Sequence, residues 1–272
     1  MFLLGAIVAF GYLTASLFAF VSLFGRERSD REPLMAFSAS AGLVTLPAHF
    51  AYLLALGLRE RAIPLGSFFQ AMSVLSLFFM FIYVVLKLIK VKSIGIFVYP
   101  IVFALHAIGT FVPRIVGFGE SIAKPPLFWF HTVSMLLGYA SFGYSMILGF
   151  MYLYLFREIK NHRPDRMYDR MPPLERLDRL NLLALIGGFA FLSVGMILGG
   201  GLAQSLWNEI PFRDPKIVVT VILWVAYVFV LVMHSLRNWS GRKMSMVSIG
   251  GFTAVVAGVA IARLFETSFH RF

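Results

Sequence analysis

Cysteine is absent from this 272-residue chain, which removes disulfide frameworks and thiolate metal centres and leaves histidine, methionine, tyrosine and carboxylates as the available ligands. Charge is scarce as well. Asp, Glu, Lys and Arg together make up 14% of the residues, and only 13 residues are acidic. No paired-carboxylate or nucleophile-base constellation emerges from so few, so the chain offers no hydrolytic centre. Tryptophan is limited to four residues. What the chain does have is apolar surface: hydrophobic residues are 59% of it and the mean hydropathy is +0.82. Such values lie far from those of ordinary soluble domains and indicate an integral membrane protein. A formal charge of +11 would point to nucleic acid in a soluble protein. Here the basic residues lie mostly between apolar runs, where they act as an orientation signal, and no nucleic-acid partner is expected.

Eight apolar runs reach the roughly 20 residues a spanning helix needs. They fall at about 2–24, 34–57, 67–88, 94–112, 127–156, 182–203, 216–235 and 246–265. Open backbone is not tolerated in hydrocarbon, so all eight are expected to be helices. The first run has no basic residue before it and no clear cleavage site, and is read as a retained helix. The fold class is therefore an all-α integral membrane protein, a bundle of about eight transmembrane helices forming a single polytopic domain over residues 1–272.

Loop charge orients this bundle. Arg26, Arg28 and Arg31 follow run 1, Lys87, Lys90 and Lys92 lie around the 3–4 connection, and Arg237, Arg242 and Lys243 separate runs 7 and 8. Seven more basic residues, from Arg157 to Arg179, lie in the 5–6 loop, for sixteen on this side against eight on the other. The richer side is cytoplasmic. Both termini and the 4–5 and 6–7 loops are then on the outer side, in a bacterial inner (cytoplasmic) membrane.

Orientation assigns each histidine a depth. His131 enters helix 5 near its outer end, His270 follows helix 8 outside, and His49 and His106 lie in the outer halves of helices 2 and 4. His234 lies toward the cytoplasmic end of helix 7. His131 and His270 thus frame the outer segment 207–216, an arrangement suited to holding a haem. Intramembrane His49 and His106 are candidate ligands or proton carriers, with interhelical hydrogen bonding by neutral imidazoles an equal alternative. His131, Met135 and Gly138 share one helix face, where the glycine would admit a flat ligand or another helix. Of the helix 6 glycines, Gly187-Gly188 is expected to serve packing and Gly199-Gly200-Gly201, placed at a helix end, to shape the outer loop.

These residues carry a resemblance. The stretch from Phe128 through His131 and Met135 to Ala140, then Met171-Pro172-Pro173-Leu174-Glu175-Arg176-Leu177-Asp178, the glycine-rich helix 6, Trp207, Asp214-Pro215-Lys216, Trp224, Tyr227, His234 and Trp239-Ser240-Gly241-Arg242 follow one another as in the cytochrome c assembly family. The similarity is most specific over 125–272 and resembles the small eight-helix HemX-like and YpjD-like branch. It implies haem handling during cytochrome c maturation, with His131 and His270 as external axial ligands to the iron of a haem b. It also implies a tryptophan-rich loop at 204–216, where Trp207, Arg213, Asp214 and Lys216 contact the haem: the aromatic plane against the porphyrin, Arg213 and Lys216 against its propionates. That loop departs from the family pattern, with Phe212-Arg213 before Asp214 and Ile217 in place of an acidic residue. The resemblance also sets His234 and His49 at the positions of further family histidines within the membrane.

The resemblance implies a haem-binding membrane protein that is not a complete cytochrome c synthase on its own and works with a second membrane subunit. The alternatives are a regulatory or scaffold subunit that keeps the fold and binds a partner through its basic 5–6 loop, or a haem-loaded electron-transfer or transport subunit.

Overall fold

Small residues at a helical period explain how the first helix packs. In α1 (Phe2–Val21), Gly5, Val8, Ala9, Tyr12, Ala15 and Ala19 are buried, while Phe2, Leu3 and Phe10 are about 70% exposed. Large apolar side chains outside and, apart from Tyr12, mostly small ones inside is the pattern of a helix solvated by lipid, since lipid tails accept leucine and phenylalanine as readily as a core does. The computed structural model describes residues 1–25, 27–91, 93–112, 126–162, 168–208, 212 and 214–264, and no side chain for Arg28, Asp169, Trp207 or residues 262–264.

The remaining helices are α2 (Arg28–Glu60), α3 (Phe68–Leu88), α4 (Gly95–Phe111), α5 (Pro126–Lys160), α6 (Leu174–Trp207), α7 (Pro215–Arg237) and α8 (Arg242–Leu264), with one 3-10 turn at Tyr168–Arg170. The described residues contain no strand. Seven helices are long and apolar enough to cross a membrane, and α4, at 17 residues, is the shorter apolar one. The eight expected runs correspond one to one with these helices. The expected boundaries fall short chiefly in α2, α5 and α6, whose polar first or last turns continue the helix beyond the apolar stretch.

Local chemistry sets several ends. Glu27 and Asp30 form a reciprocal capping box at the start of α2, Ser67 accepts from the Gln70 amide at the start of α3, and Asn208 and Asn238 end α6 and α7 in the left-handed conformation. The helices group into two compact units, α1–α4 with the Tyr168–Arg170 turn, and α5–α8. In the first unit, Arg170 is buried and donates to the Ser22 carbonyl at the end of α1 (3.2 Å). A cation there meets the negative end of the helix dipole. In the second unit, Phe142, Leu185, Leu192, Tyr227, Val230, Met244 and Val255 form the core.

Candidate functional site

Within the first unit, helices α1 to α4 each contribute to one buried polar chain. Tyr12 Oη lies 3.1 Å from His49 Nδ1, His49 Nε2 3.1 Å from Ser73 Oγ, Ser73 Oγ 3.0 Å from His106 Nδ1, and His106 Nε2 3.1 Å from the Gly5 carbonyl. Tyr12, His49 and His106 are fully buried. The chain has a direction. A carbonyl only accepts, so His106 Nε2–H donates to Gly5, Nδ1 accepts a hydrogen bond from the Ser73 hydroxyl, Ser73 accepts from His49 Nε2–H, and His49 Nδ1 accepts from Tyr12. Each imidazole holds one ring proton, and both nitrogens of each are engaged.

Close helix approach makes the chain possible. A Cβ at Gly5 would lie 2.6 Å from Thr110 Cγ2, and one at Gly109 would lie 2.7 Å from the Phe69 carbonyl oxygen. Both positions need glycine for α4 to reach α1 and α3. Ser73 is the link between the two imidazoles. Its replacement by alanine is expected to strand one donor and one acceptor and to lower stability by about 1–2 kcal/mol, read as a lower thermal midpoint in detergent. An unchanged midpoint would mean that the polar chain adds nothing to stability.

Within the second unit, His131 lies in the second turn of α5 and its Nδ1 is 2.7 Å from the Gly195 carbonyl of α6. The carbonyl acts as acceptor, so Nδ1 carries the proton and the lone pair is on Nε2. A Cβ at Gly199 would lie 2.7 Å from His131 Cε1, one at Gly195 would lie 2.6 Å from Met135 Sδ, and one at Gly138 would meet Leu192 N at 3.2 Å. The shared face of His131, Met135 and Gly138 therefore packs on α6. The helix 6 glycines need a correction here. Gly199-Gly200-Gly201 lies inside α6, which runs on to Trp207, and Gly199 makes room for an imidazole instead of shaping a loop. The apolar content of 182–203 marked only the lipid-facing part of the helix, so the continuation through Gln204 and Ser205 went unread.

The 204–216 segment is described in part. Asp214 is 3% exposed and caps α7, its carboxylate accepting from the Lys216 amide at 2.8 Å. Pro215 takes the first helical position, where no amide hydrogen is needed. The Asp-Pro-Lys triplet is thus also a helix start, with its backbone role independent of any ligand. Arg213 and His270 lie outside the described residues, as does the Trp207 side chain.

His234 donates from Nδ1 to the Trp239 carbonyl (2.6 Å), closing the α7–α8 turn. The same turn is held from α6, where Asp178 accepts from the Gly241 amide at 2.7 Å. Gly241 has φ +56°, which favours glycine. Trp224 donates to Ser193 at 2.8 Å and Tyr227 stacks on Phe142 at 4.1 Å. Landmarks far apart in sequence thus hold α5 to α8 together. Sequence reasoning missed Tyr12 and Ser73, and it named Gly195, Gly199 and Asp178 without the partners they meet here. A lone polar residue at the buried period of an apolar run was the available signal for the first two.

The model of the family described as Cytochrome C assembly protein matches residues 38–270. The chain belongs to the cytochrome c assembly protein family. Among its relatives, the "Cytochrome c biogenesis protein CcsA" of Chlamydomonas reinhardtii is 24% identical over 205 residues, 71% of this chain and 56% of the algal protein. The CcsA proteins of Prochlorococcus marinus strains NATL1A and MIT 9303 are 30% and 33% identical over 98 and 82 residues, which are 36% and 30% of this chain. Those stretches cover 31% and 26% of the cyanobacterial proteins. The chain thus aligns with only about half of the algal protein's length and about a third or less of the cyanobacterial ones. The family match takes in both histidine sites, since it begins in α2 ahead of His49 and runs past His234. With the family and the apolar helices together, this is a membrane protein.

Proposed function

We propose that this protein binds haem on the outer side of a bacterial cytoplasmic membrane and holds it for cytochrome c maturation, with His131 as one axial ligand and His270 as the other. The observation that carries the reading is the His131 ring, whose Nδ1–H is tied to the Gly195 carbonyl. A backbone carbonyl on one ring nitrogen sets the tautomer and raises the basicity of the other, as is common for imidazoles that ligate metals. Gly199 supports the fit, because a Cβ there would press on the ring. The donor set is also right for haem: with no cysteine in the chain, histidine is the strongest iron ligand present.

Haem b in such a site would supply an iron centre whose potential follows its axial ligands and local polarity. The chain's own residues do the positioning. Trp207 offers an aromatic plane, Arg213 and Lys216 offer cations for the two propionates, and Asp214 starts α7. Sixteen basic residues on the 1–2, 3–4, 5–6 and 7–8 connections against eight elsewhere support placing both termini outside. We assign the chain to the small HemX-like branch and expect it to share the work with a second membrane subunit. Its relatives are named for cytochrome c biogenesis, and the aligned part covers 56% of the algal one.

The test is an oxidised and dithionite-reduced optical spectrum of the detergent-purified protein, supplied with haem, beside the His131→Ala/His270→Ala double variant. Sharp reduced bands in the parent that vanish in a folded variant are expected. A folded parent without bands would overturn haem binding and leave a scaffold that kept the family fold.

A further inference from the structure

At the end of α5 opposite His131, the second unit opens a groove of about 380 Å³ between α5 and α8. Leu153, Phe156 and Met246 line it with apolar surface, and Arg157, Lys160 and Arg242 supply three cations. A narrower trough of about 220 Å³ shares Leu153 and Arg157 with it and continues toward the helix middles along Phe150, Tyr154 and Ile249. Below the groove the helices close up, since a Cβ at Gly149 would lie 3.0 Å from the Ser245 carbonyl oxygen.

Charge and position agree on the occupant. Arg157 and Lys160 are one turn apart on one helix face, Arg242 opens α8, and the first turn of α8 contains no acidic residue. Among the described residues, no carboxylate pairs with any of the three. They stand at the ends of two helices long enough to span a membrane, the depth of lipid headgroups. The polarity falls from three cations at the mouth to a nearly all-apolar trough. That gradient matches an anionic amphiphile lying parallel to the helices, and cationic pockets between helices at this depth suit acidic headgroups.

We propose that this groove is a binding site for an anionic phospholipid, its phosphate held by Arg157, Lys160 and Arg242 and one acyl chain lying along Phe150, Tyr154 and Ile249. Unlike haem binding, this needs neither His131 nor His270, so the two readings fail separately.

The test uses the delipidated full chain and native mass spectrometry with phosphatidylglycerol, phosphatidylcholine of the same acyl chains, and inorganic phosphate. Phosphatidylglycerol adducts are expected to dominate. Each Arg or Lys contributes about fivefold at a membrane surface, so Arg157→Gln/Lys160→Gln/Arg242→Gln should weaken them roughly 100-fold. Lys87→Gln/Lys90→Gln/Arg237→Gln removes the same charge elsewhere and should leave the adducts in place. Leu153→Trp keeps every charge but fills the groove and should expel the lipid, with the thermal midpoint checking that each variant is folded. Equal binding of the two lipids, equal loss in both triple variants, or full competition by inorganic phosphate would each overturn the proposal.

Discussion

On the proposed ligation, His131→Ala protein is expected to bind haem more than about 100-fold less tightly than the parent, because removing a ligand must exceed the 10–100-fold cost of disturbing a ligand's support. Gly199→Val separates positioning from ligation. Its Cβ would stand 2.7 Å from His131 Cε1 and 2.8 Å from Nδ1, so the ring must turn away from the Gly195 carbonyl. A loss of about 10–100-fold is expected while the histidine itself remains. Titration of the folded proteins with haem, followed optically, reads both numbers, and the reduced spectrum of Gly199→Val should change shape as the ligand is displaced. Wild-type affinity in His131→Ala would remove this histidine from the iron. Wild-type behaviour in Gly199→Val would mean that the α6 contact has no bearing on the site.

The largest stability effect is expected at Gly109, in the first unit. A Cβ there meets the Phe69 carbonyl oxygen at 2.7 Å and the Ser73 backbone nitrogen and Cβ at 3.1 Å. Backbone of a neighbouring helix does not rotate aside, so α4 must move off α3. Overpacking of this kind costs about 3 kcal/mol, and the shift also pulls His106 from Ser73, adding about 1 kcal/mol. Gly109→Val should therefore lower the unfolding free energy by about 4 kcal/mol, with Gly109→Ala intermediate. Gly250 has no neighbour within 4 Å of an added Cβ, and Gly250→Ala should stay within about 0.5 kcal/mol of the parent. Denaturant titration in mixed micelles measures all three. Equal midpoints for the Gly109 and Gly250 variants would show that α3 and α4 have room to adjust.

How much of this was legible follows from what each signal depends on. Apolar length read all eight helices because a lipid-facing helix must be apolar along its whole span, whatever it packs against. Helix ends were less legible: the polar turns of α2, α5 and α6 contribute backbone hydrogen bonds but no hydropathy. Histidine depth was readable from position, but partners were not. His49 and His106 are 57 residues apart, and only the packing of four helices makes them neighbours, with Ser73 between them. Gly199 illustrates the same limit. A glycine triplet in sequence fits a loop or a close contact equally, and the choice depends on what the opposite helix carries.

Composition and spacing alone determined that the chain lives in a membrane, where its helices run, and which family its motifs resemble, because these depend on the chemistry of each segment by itself. The tertiary structure alone decided which polar atoms are satisfied and by whom. It tied His131 to the Gly195 carbonyl, closed the Tyr12–His49–Ser73–His106 chain onto Gly5, and joined Asp178 to the α7–α8 turn. The physical reason is that in an apolar surround a polar group must find its partner within the protein, and that partner lies on another helix at a distance in sequence that no local pattern encodes.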